Sequence, residues 1–409
     1  MMNQDKERSE RVKNALRDGN LDAVLCALPS NVLMLTGYFP VVGTSVAIFT
    51  REGEICLLAP EDERELAARS RADRLRTFKP GSLEELRNAY QAVQKPLEEA
   101  LNFLRLSGKR IGYERGAYFQ PASYAAMHFY GAGLIDLLEA AEASLVSADC
   151  MLARLRSVKT PFEIERIRAA CRIAGRAYKQ GKRHLQINCT EREVAAFFRI
   201  PLETLENADE NIERAEGFVF CASGENSVKA DAAYQRSRAK RLKENEFVLV
   251  HCNSHADGYW TDVTRTFLLD GADEKKSRIS EAVFAARAAA LSAICPGASA
   301  AEVDKAAREV IEERGYGEYF THATGHEVGF SAINHDAVPR IHPASEDVLE
   351  TGMTFNVEPA IYIEGIGGFR HCDMVAVTEN GYEILTPFQT KKEELLISIE
   401  EMIVSSICI

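Results

Sequence analysis

Asp262 lies in the run HCNSHADGYWTDVTRTF (251–267), on a segment whose alternation marks a strand, and an aspartate in that setting has the look of a metal ligand. Eleven residues earlier, where a two-metal site would want a second carboxylate, the chain carries His251. The Asp257-Gly258 pair between them signals a hairpin turn. A symmetric four-residue loop at 255–258 pairs 254 with 259, and therefore 251 with 262. Directly opposed residues share a face with Cβ atoms about 4.5–5.5 Å apart. His251 is therefore expected to face Asp262. Trp260, Thr264 and Thr266 share that small, polar face, while Tyr259, Val263 and Phe267 take the other.

A second hairpin is expected in GMTFNVEPAIYIEGIGGFRHCDMVAVT (352–378), turning on Gly365, Gly367 and Gly368. Centring the turn on Gly365 sets Glu358 opposite Cys372. Thr354, Asn356 and Glu358 then line one face, continued by Arg370 and Cys372, and Asp373 points to the opposite side. Between the hairpins runs THATGHEVGFSAINHDAVPRIHP (321–343), where His322 and His326 are spaced for one face of an extended segment. Each residue also has an ordinary reading. A strand aspartate is commonly a surface residue, a strand histidine commonly a satisfied polar group, and a buried thiol commonly packing material. His255, at the hairpin tip, is expected in solvent, Trp260 as packing or a pocket wall, and His342 as decoration of the loop before Pro343.

These ribbons need a scaffold, and 409 residues suit two domains. LDAVLCAL (21–28), TSVAIFT (44–50), EICLLAP (54–60) and KRIGYE (109–114) read as strands. EDERELAARSRA (61–72) and SLEELRNAYQAVQ (82–94) read as helices, the latter stopped near Pro96. This is an α/β domain, 1–158. At 160–163, Thr-Pro-Phe-Glu forms a capping box that opens a second domain, 159–395, and Thr190 with Glu193 repeats the device. Ile164, Ile167, Cys171, Ala174 and Tyr178 form the buried stripe of the first of these helices. Residues 396–409 read as a tail. The net charge of −12 argues against nucleic acid or an anionic membrane as partner. The stretch RSRAKRLK (236–243) reads as a solvated turn or helix end. The charged N-terminus lacks an apolar leader, and no run reaches the roughly 18 apolar residues of a membrane span. Ten scattered cysteines without a CxxC read as reduced thiols, so a cytoplasmic location is expected.

LDAVLCALPSNVLMLTGY, LRSVKTPFEIERIRAA, GYWTDVTRTF, TGHEVGF, GMTFNVEPAIYI and GGFRHCDMVAVTENGYEIL, in that order, resemble the pita-bread metallopeptidases: aminopeptidase P, prolidase, methionine aminopeptidase and the related creatinase. The resemblance covers nearly the whole chain. It implies a creatinase-like α/β N-terminal domain and an α+β pita-bread catalytic domain. It also implies that Asp262, His326 and Glu358 match three of five metal ligands, with His251 and Cys372 at the altered positions. His322 matches a histidine that binds substrate and stabilises the reacting carbonyl. Arg370 matches the arginine two residues before the last ligand. A further site histidine falls at His335, with His342 as rival, and Asp231 lies where members carry a substrate-facing histidine.

The altered set is softer and less negative than five carboxylate-rich ligands, which shifts preference from manganese or cobalt toward zinc or iron. The expectation is one divalent ion, zinc first, hydrolysing the C–N bond of a small peptide or amide, with Xaa-Pro the default and a homodimer by family habit. Two other readings remain. One is a creatinase-like hydrolase of a small amide or amidine that works without metal. The other is a binding module with no catalysis.

Overall fold

Short runs of aliphatic and β-branched residues become strands in the N-terminal part of the chain, because each is too short for a helix, and those at 23–26, 46–50 and 55–60 are buried on both faces. The computed structural model describes residues 5–40, 45–79, 89–114, 138–139, 143–204, 212–231, 237–271, 273–333 and 337–398. It divides into two compact units, Met1–Arg156 and Ser157–Ile409. In the first, β1 (Ala23–Cys26), β2 (Val46–Thr50), β3 (Ile55–Pro60), β4 (Arg74–Phe78), β5 (Arg110–Tyr113) and β6 (Ser144–Ser147) form one sheet in the order β4-β3-β2-β1-β5-β6. Helices α1 (Lys6–Asp18) and α2 (Pro29–Thr36) belong to the same unit.

Two helices depart from expectation there. The 61–72 segment forms only a 3-10 turn and the four-residue α3 (Arg64–Ala67). Helix α4 (Ala89–Phe103) runs through Pro96 instead of stopping at it. An internal proline costs roughly 3 kcal/mol. Burying Val93, Leu97 and Leu101 in the sheet's core returns about 1.5–3 kcal/mol each, so packing wins. The start expected for this helix, 82–88, lies outside the described residues.

The second unit opens with α5 (Pro161–Lys182) and α6 (Glu191–Glu203), each with its capping box formed. For α5, the Glu163 N–H donates to Thr160 Oγ1 at 3.3 Å and the Thr160 N–H to Glu163 Oε2 at 2.8 Å. Thr160→Ala is expected to cost about 1 kcal/mol, read as a lower denaturant midpoint at unchanged slope. Tyr178 on α5 donates to the Val250 and Val263 carbonyls, 2.9 Å each, and so holds the helix against β8 (Phe247–Ala256) and β9 (Tyr259–Leu269). With β7 (Ala215–Ser223) these lie in a sheet ordered β15-β9-β8-β7. Strand β15 (Leu396–Ile397) pairs in parallel with β9, so the expected tail begins inside the sheet. Helices α7 (Glu274–Ser292) and α8 (Ala300–Glu313) follow. Then come β10 (Thr354–Val357), β11 (Ala360–Ile363), β12 (Gly367–Arg370), β13 (Asp373–Thr378) and β14 (Gly381–Ile384). No helix among the described residues is long and apolar enough to cross a membrane. In the basic stretch Arg238, Arg241 and Lys243 are exposed, as expected of a solvated segment, while Lys240 is bonded to Glu246 at 2.7 Å and Ser223 at 2.8 Å.

Candidate metal centre

The first hairpin turns on two residues rather than four. Asp257 and Gly258 both have positive φ, +47° and +85°, as a tight hairpin connection requires. Ala256 therefore pairs with Tyr259, Asn253 with Asp262, and His251 with Thr264. The register differs by two from the expected one. An even shift keeps every side chain on its face, so His251 and Asp262 still share a surface, now diagonally, with Thr264 between them. The tighter turn also draws His255 inside. It is 3% exposed, packed on Trp260 and bonded to Glu216 at 3.0 Å, which corrects the expectation of solvent.

The second hairpin keeps the expected register. Ala360 pairs with Arg370, Ile363 with Gly367, and, across the next ribbon, Val357 with Asp373. Glu358 and Cys372 thus sit opposite each other where the two ribbons join. The Cys372 N–H donates to the Thr264 carbonyl at 3.0 Å, attaching this strand to β9. The segment 324–328 completes the ladder. Glu358 N–H donates to Thr324 O at 2.8 Å and Asn356 N–H to His326 O at 3.1 Å. Gly325 permits that approach, since a Cβ there would lie 1.9 Å from the Asn356 carbonyl oxygen. From α8, Asp304 accepts from Thr324, and Arg308 donates to the His322 carbonyl.

Three segments distant in sequence therefore converge. Among the described residues, Asp262, Glu358 and Cys372 each offer a donor atom, and these atoms lie within 4.8 Å of one another. His326 Nε2 lies 3.5 Å from Asp262 Oδ2 and 3.8 Å from Glu358 Oε1. Its Nδ1–H donates to the Glu327 carbonyl at 3.1 Å, so the Nε2 lone pair is the one that faces the acids. The Asn356 amide Nδ2–H points at the same lone pair from 3.2 Å, so an ion bound there would displace that donor. Burial pushes the Cys372 thiol well above its ordinary pKa, with Asp262 and Glu358 adding to it, and the Sγ–H donates to the Asp262 carbonyl at 3.2 Å. Burial also raises the Glu358 carboxyl to about 7.

His251 is placed differently. Arg370 Nη2 donates to its Nδ1 at 3.0 Å, so the proton is on Nε2, which donates to Asn253 Oδ1 at 2.8 Å. Both ring nitrogens are engaged, and the side chain stands beside the cluster, 3.7 Å from Asp262, as an acceptor for Arg370. Burial holds it at about 4, hence neutral. Arg370 itself is spent on Thr264 Oγ1, the Ala230 carbonyl and His251, so it braces the site from within. His322 donates from Nδ1 to the Ala323 carbonyl at 2.8 Å, which leaves Nε2 to accept from the Tyr362 hydroxyl at 3.1 Å. Burial depresses it to about 4, so the neutral ring has no second N–H to offer an oxyanion. His342 is exposed and its Nδ1 accepts the Ala344 N–H, so it serves its own turn. His335 and the side chain of Asp231 lie outside the described residues. Tyr362, Asn253 and Thr264 were not singled out as functional from sequence. For Tyr362 the signal was there, since it lies four residues beyond Glu358, on the same strand face.

The reverse face of the Cys372 strand is bolted down, as parity predicts for Asp373. Its carboxylate receives Arg265 Nη2 at 2.7 Å, Arg287 Nε at 2.5 Å and Thr386 Oγ1 at 2.8 Å, all with little or no solvent exposure. Burial alone would raise this carboxyl; Arg265, His371 and Arg287 reverse that and hold it well below the ordinary range.

A divalent ion fits this donor set. Two carboxylates, a thiol and an unprotonated imidazole nitrogen are clustered, and a hard and a soft side are both present. Comparison with known proteins identifies the family. Residues 165–379 match the model of metallopeptidase family M24, and residues 8–158 that of the creatinase/prolidase N-terminal domain. The Xaa-Pro dipeptidase of Pyrococcus furiosus is 31% identical over 391 residues, which is 95% of this chain and 100% of that one. The crystal structure of the prolidase from Pyrococcus horikoshii OT3 aligns with a TM-score of 0.73 at 28% identity, covering 94% of this chain and 99% of that one. The Xaa-Pro dipeptidase from Bacillus anthracis, at 23% identity and a TM-score of 0.75 over 96% and 99% of the two chains, shares the fold. The chain belongs to metallopeptidase family M24 and is a hydrolase of that type, with a creatinase-type N-terminal domain and a pita-bread catalytic domain.

Proposed function

We propose that this hydrolase cleaves the C–N bond of small Xaa-Pro peptides using one divalent ion, zinc in first place, with iron, manganese and cobalt as alternatives. Asp262, His326 and Glu358 would hold it, with Cys372 joining as thiolate. The observation that carries this reading is the convergence of those donors, three of them within 4.8 Å and the His326 lone pair turned toward them. A bound ion supplies Lewis-acid polarisation of the carbonyl and a more acidic water. Glu358 takes the proton of the attacking water and passes it to the leaving nitrogen. Tyr362 gives its hydroxyl hydrogen to His322 Nε2 and so holds that ring in place. His335 enters as the donor that stabilises the tetrahedral oxyanion and Asp231 as a substrate contact.

Charge supports one ion rather than two. With both carboxyls ionised as ligands, Asp262 and Glu358 would contribute two negative charges and Arg370 one positive, which leaves a single negative charge. Ionising Cys372 doubles it, and one divalent ion then balances the site. A second would leave two uncompensated positive charges in a buried place, where such charge is costly. With His251 already accepting from Arg370, the ligand that a second ion would need is engaged. A homodimer in the cytoplasm belongs to the same reading.

Elemental analysis of untreated protein is expected to find one equivalent of metal, and chelation to abolish turnover of an Xaa-Pro dipeptide. Because Cys372 must lose its proton, metal affinity is expected to rise with pH, by about tenfold per unit while that proton is displaced. Turnover that survives complete metal removal would instead favour the creatinase-like reading. Protein with neither metal nor turnover would be a binding module.

A further inference from the structure

Lys159 and Glu327 form an ion pair with almost no solvent contact, their side chains 0% and 2% exposed. Nothing in the proposed chemistry uses either of them. Their position is nonetheless specific. Lys159 precedes the capping residue Thr160, so it stands at the root of α5, and its N–H donates to the Gly352 carbonyl at 2.8 Å. From there the stem passes over Gly329, where an added Cβ would come within 2.7 Å of Lys159 Cε. The ammonium ends on the Glu327 carboxylate, 168 residues along the chain, with the Ser157 carbonyl at 3.4 Å.

Glu327 is the residue whose main-chain carbonyl accepts from His326 Nδ1–H. Its own backbone is bridged to Phe355 on the far side, and the neighbouring Val328 carbonyl accepts from Thr354 Oγ1 at 2.6 Å. The peptide that accepts His326 Nδ1–H, a tautomer that Asn356 also favours from the Nε2 side, is thus gripped by its main chain from β10 and by its side chain from Lys159. A ligating imidazole is held in orientation and tautomer by what its other nitrogen meets, and such partners commonly matter about 10–100-fold in metal affinity.

We infer that Lys159 is a positioning residue for the metal centre: its ion pair with Glu327 aims the Glu327 carbonyl at His326 Nδ1 and so keeps the Nε2 lone pair toward Asp262 and Glu358. An ammonium suits the task because the slot beside Gly329 admits a slim aliphatic stem and ends at one carboxylate. The consequence reaches the site through one residue and needs no contact between Lys159 and substrate.

The test separates positioning from simple stability. Lys159→Met alone strands the Glu327 charge and is expected to fold poorly. The double variant Lys159→Met/Glu327→Met removes both charges, a replacement that is often neutral or stabilising for a buried pair. Its melting temperature is therefore the control. Two readouts follow, the ring ¹⁵N shifts of His326 in metal-free protein, assigned with His326→Gln, and Co²⁺ affinity by its visible absorption. The double variant is expected to fold, to lose the single Nδ1–H tautomer, and to bind Co²⁺ about 10–100-fold more weakly. A folded double variant with the wild-type tautomer and wild-type Co²⁺ affinity overturns the inference, leaving the pair a purely structural one. The affinity arm rests on the one-ion reading and the tautomer arm does not. If wild-type protein binds no Co²⁺ yet the double variant still loses the tautomer, the positioning role stands and the metal reading fails.

Discussion

Glu358→Gln is expected to lower kcat/KM for an Xaa-Pro dipeptide by about 10²–10⁴-fold, the range that removal of a positioned acid–base group commands. The substitution keeps the shape of a side chain that is 8% exposed and opposite Cys372, so packing around the site should survive. Stability gives an internal control whose sign can be worked out. In the metal-free chain the Glu358 carboxyl is raised to about 7, chiefly by burial. Unfolded, it titrates near 4.3. Between those values the folded chain holds a proton that the unfolded chain has lost, so this group's contribution to stability falls as pH rises through that window. A neutral amide does not carry that penalty. Metal-free Glu358→Gln should therefore melt at or above the wild-type temperature at pH 8 while being nearly inactive when metal is supplied. Wild-type turnover in the variant would remove Glu358 from the mechanism, and a large drop in melting temperature would show that the residue is structural.

Asp373→Asn should be the most damaging single change to stability, although the residue faces away from the chemistry. It would leave Arg265 and Arg287 without their shared carboxylate, and Arg265 has no exposure to water. Removing one partner of a buried pair typically costs about 3–5 kcal/mol. For a unit of this size each kcal/mol moves the melting temperature by roughly 2–4 °C, so a drop near ten degrees is expected by calorimetry. The pH dependence follows from the opposite sign to Glu358. Asp373 is held well below its ordinary range in the folded chain, so its contribution is complete above about pH 4, near its unfolded pKa, and is lost only as pH falls toward the folded value. The gap between variant and wild type should therefore be constant at neutral pH and narrow in acid. Metal affinity should fall too, because Arg265 also holds the Cys372 carbonyl, at 2.6 Å. A shift of under two degrees at pH 7 would mean that the network relaxes around the loss.

Much of this site could be read from residue order. Turn chemistry placed both ribbons, and strand parity assigned His251, Asp262, Glu358 and Cys372 to one face and Asp373 to the other. That assignment survived a two-residue error in the first hairpin because side chains alternate with period two. Both capping boxes followed from four-residue signatures, since their bonds close within one turn of helix. The helix expected to stop at Pro96 shows where local reading gives out, because the burial that carries α4 through the proline comes from strands elsewhere in the chain.

What residue order left open was which partner each polar atom would find. His251 looked like a ligand until Arg370, 119 residues later, supplied a donor to its free nitrogen. His322 lost its expected donor role to its neighbour's carbonyl and to Tyr362. Lys159 drew no notice until Glu327 arrived beside it. Local propensity and alternation act over a few residues and are written in the chain. Tautomers, ion pairs and buried charge are set by groups that only folding brings within 3 Å or so, and there the tertiary structure decided.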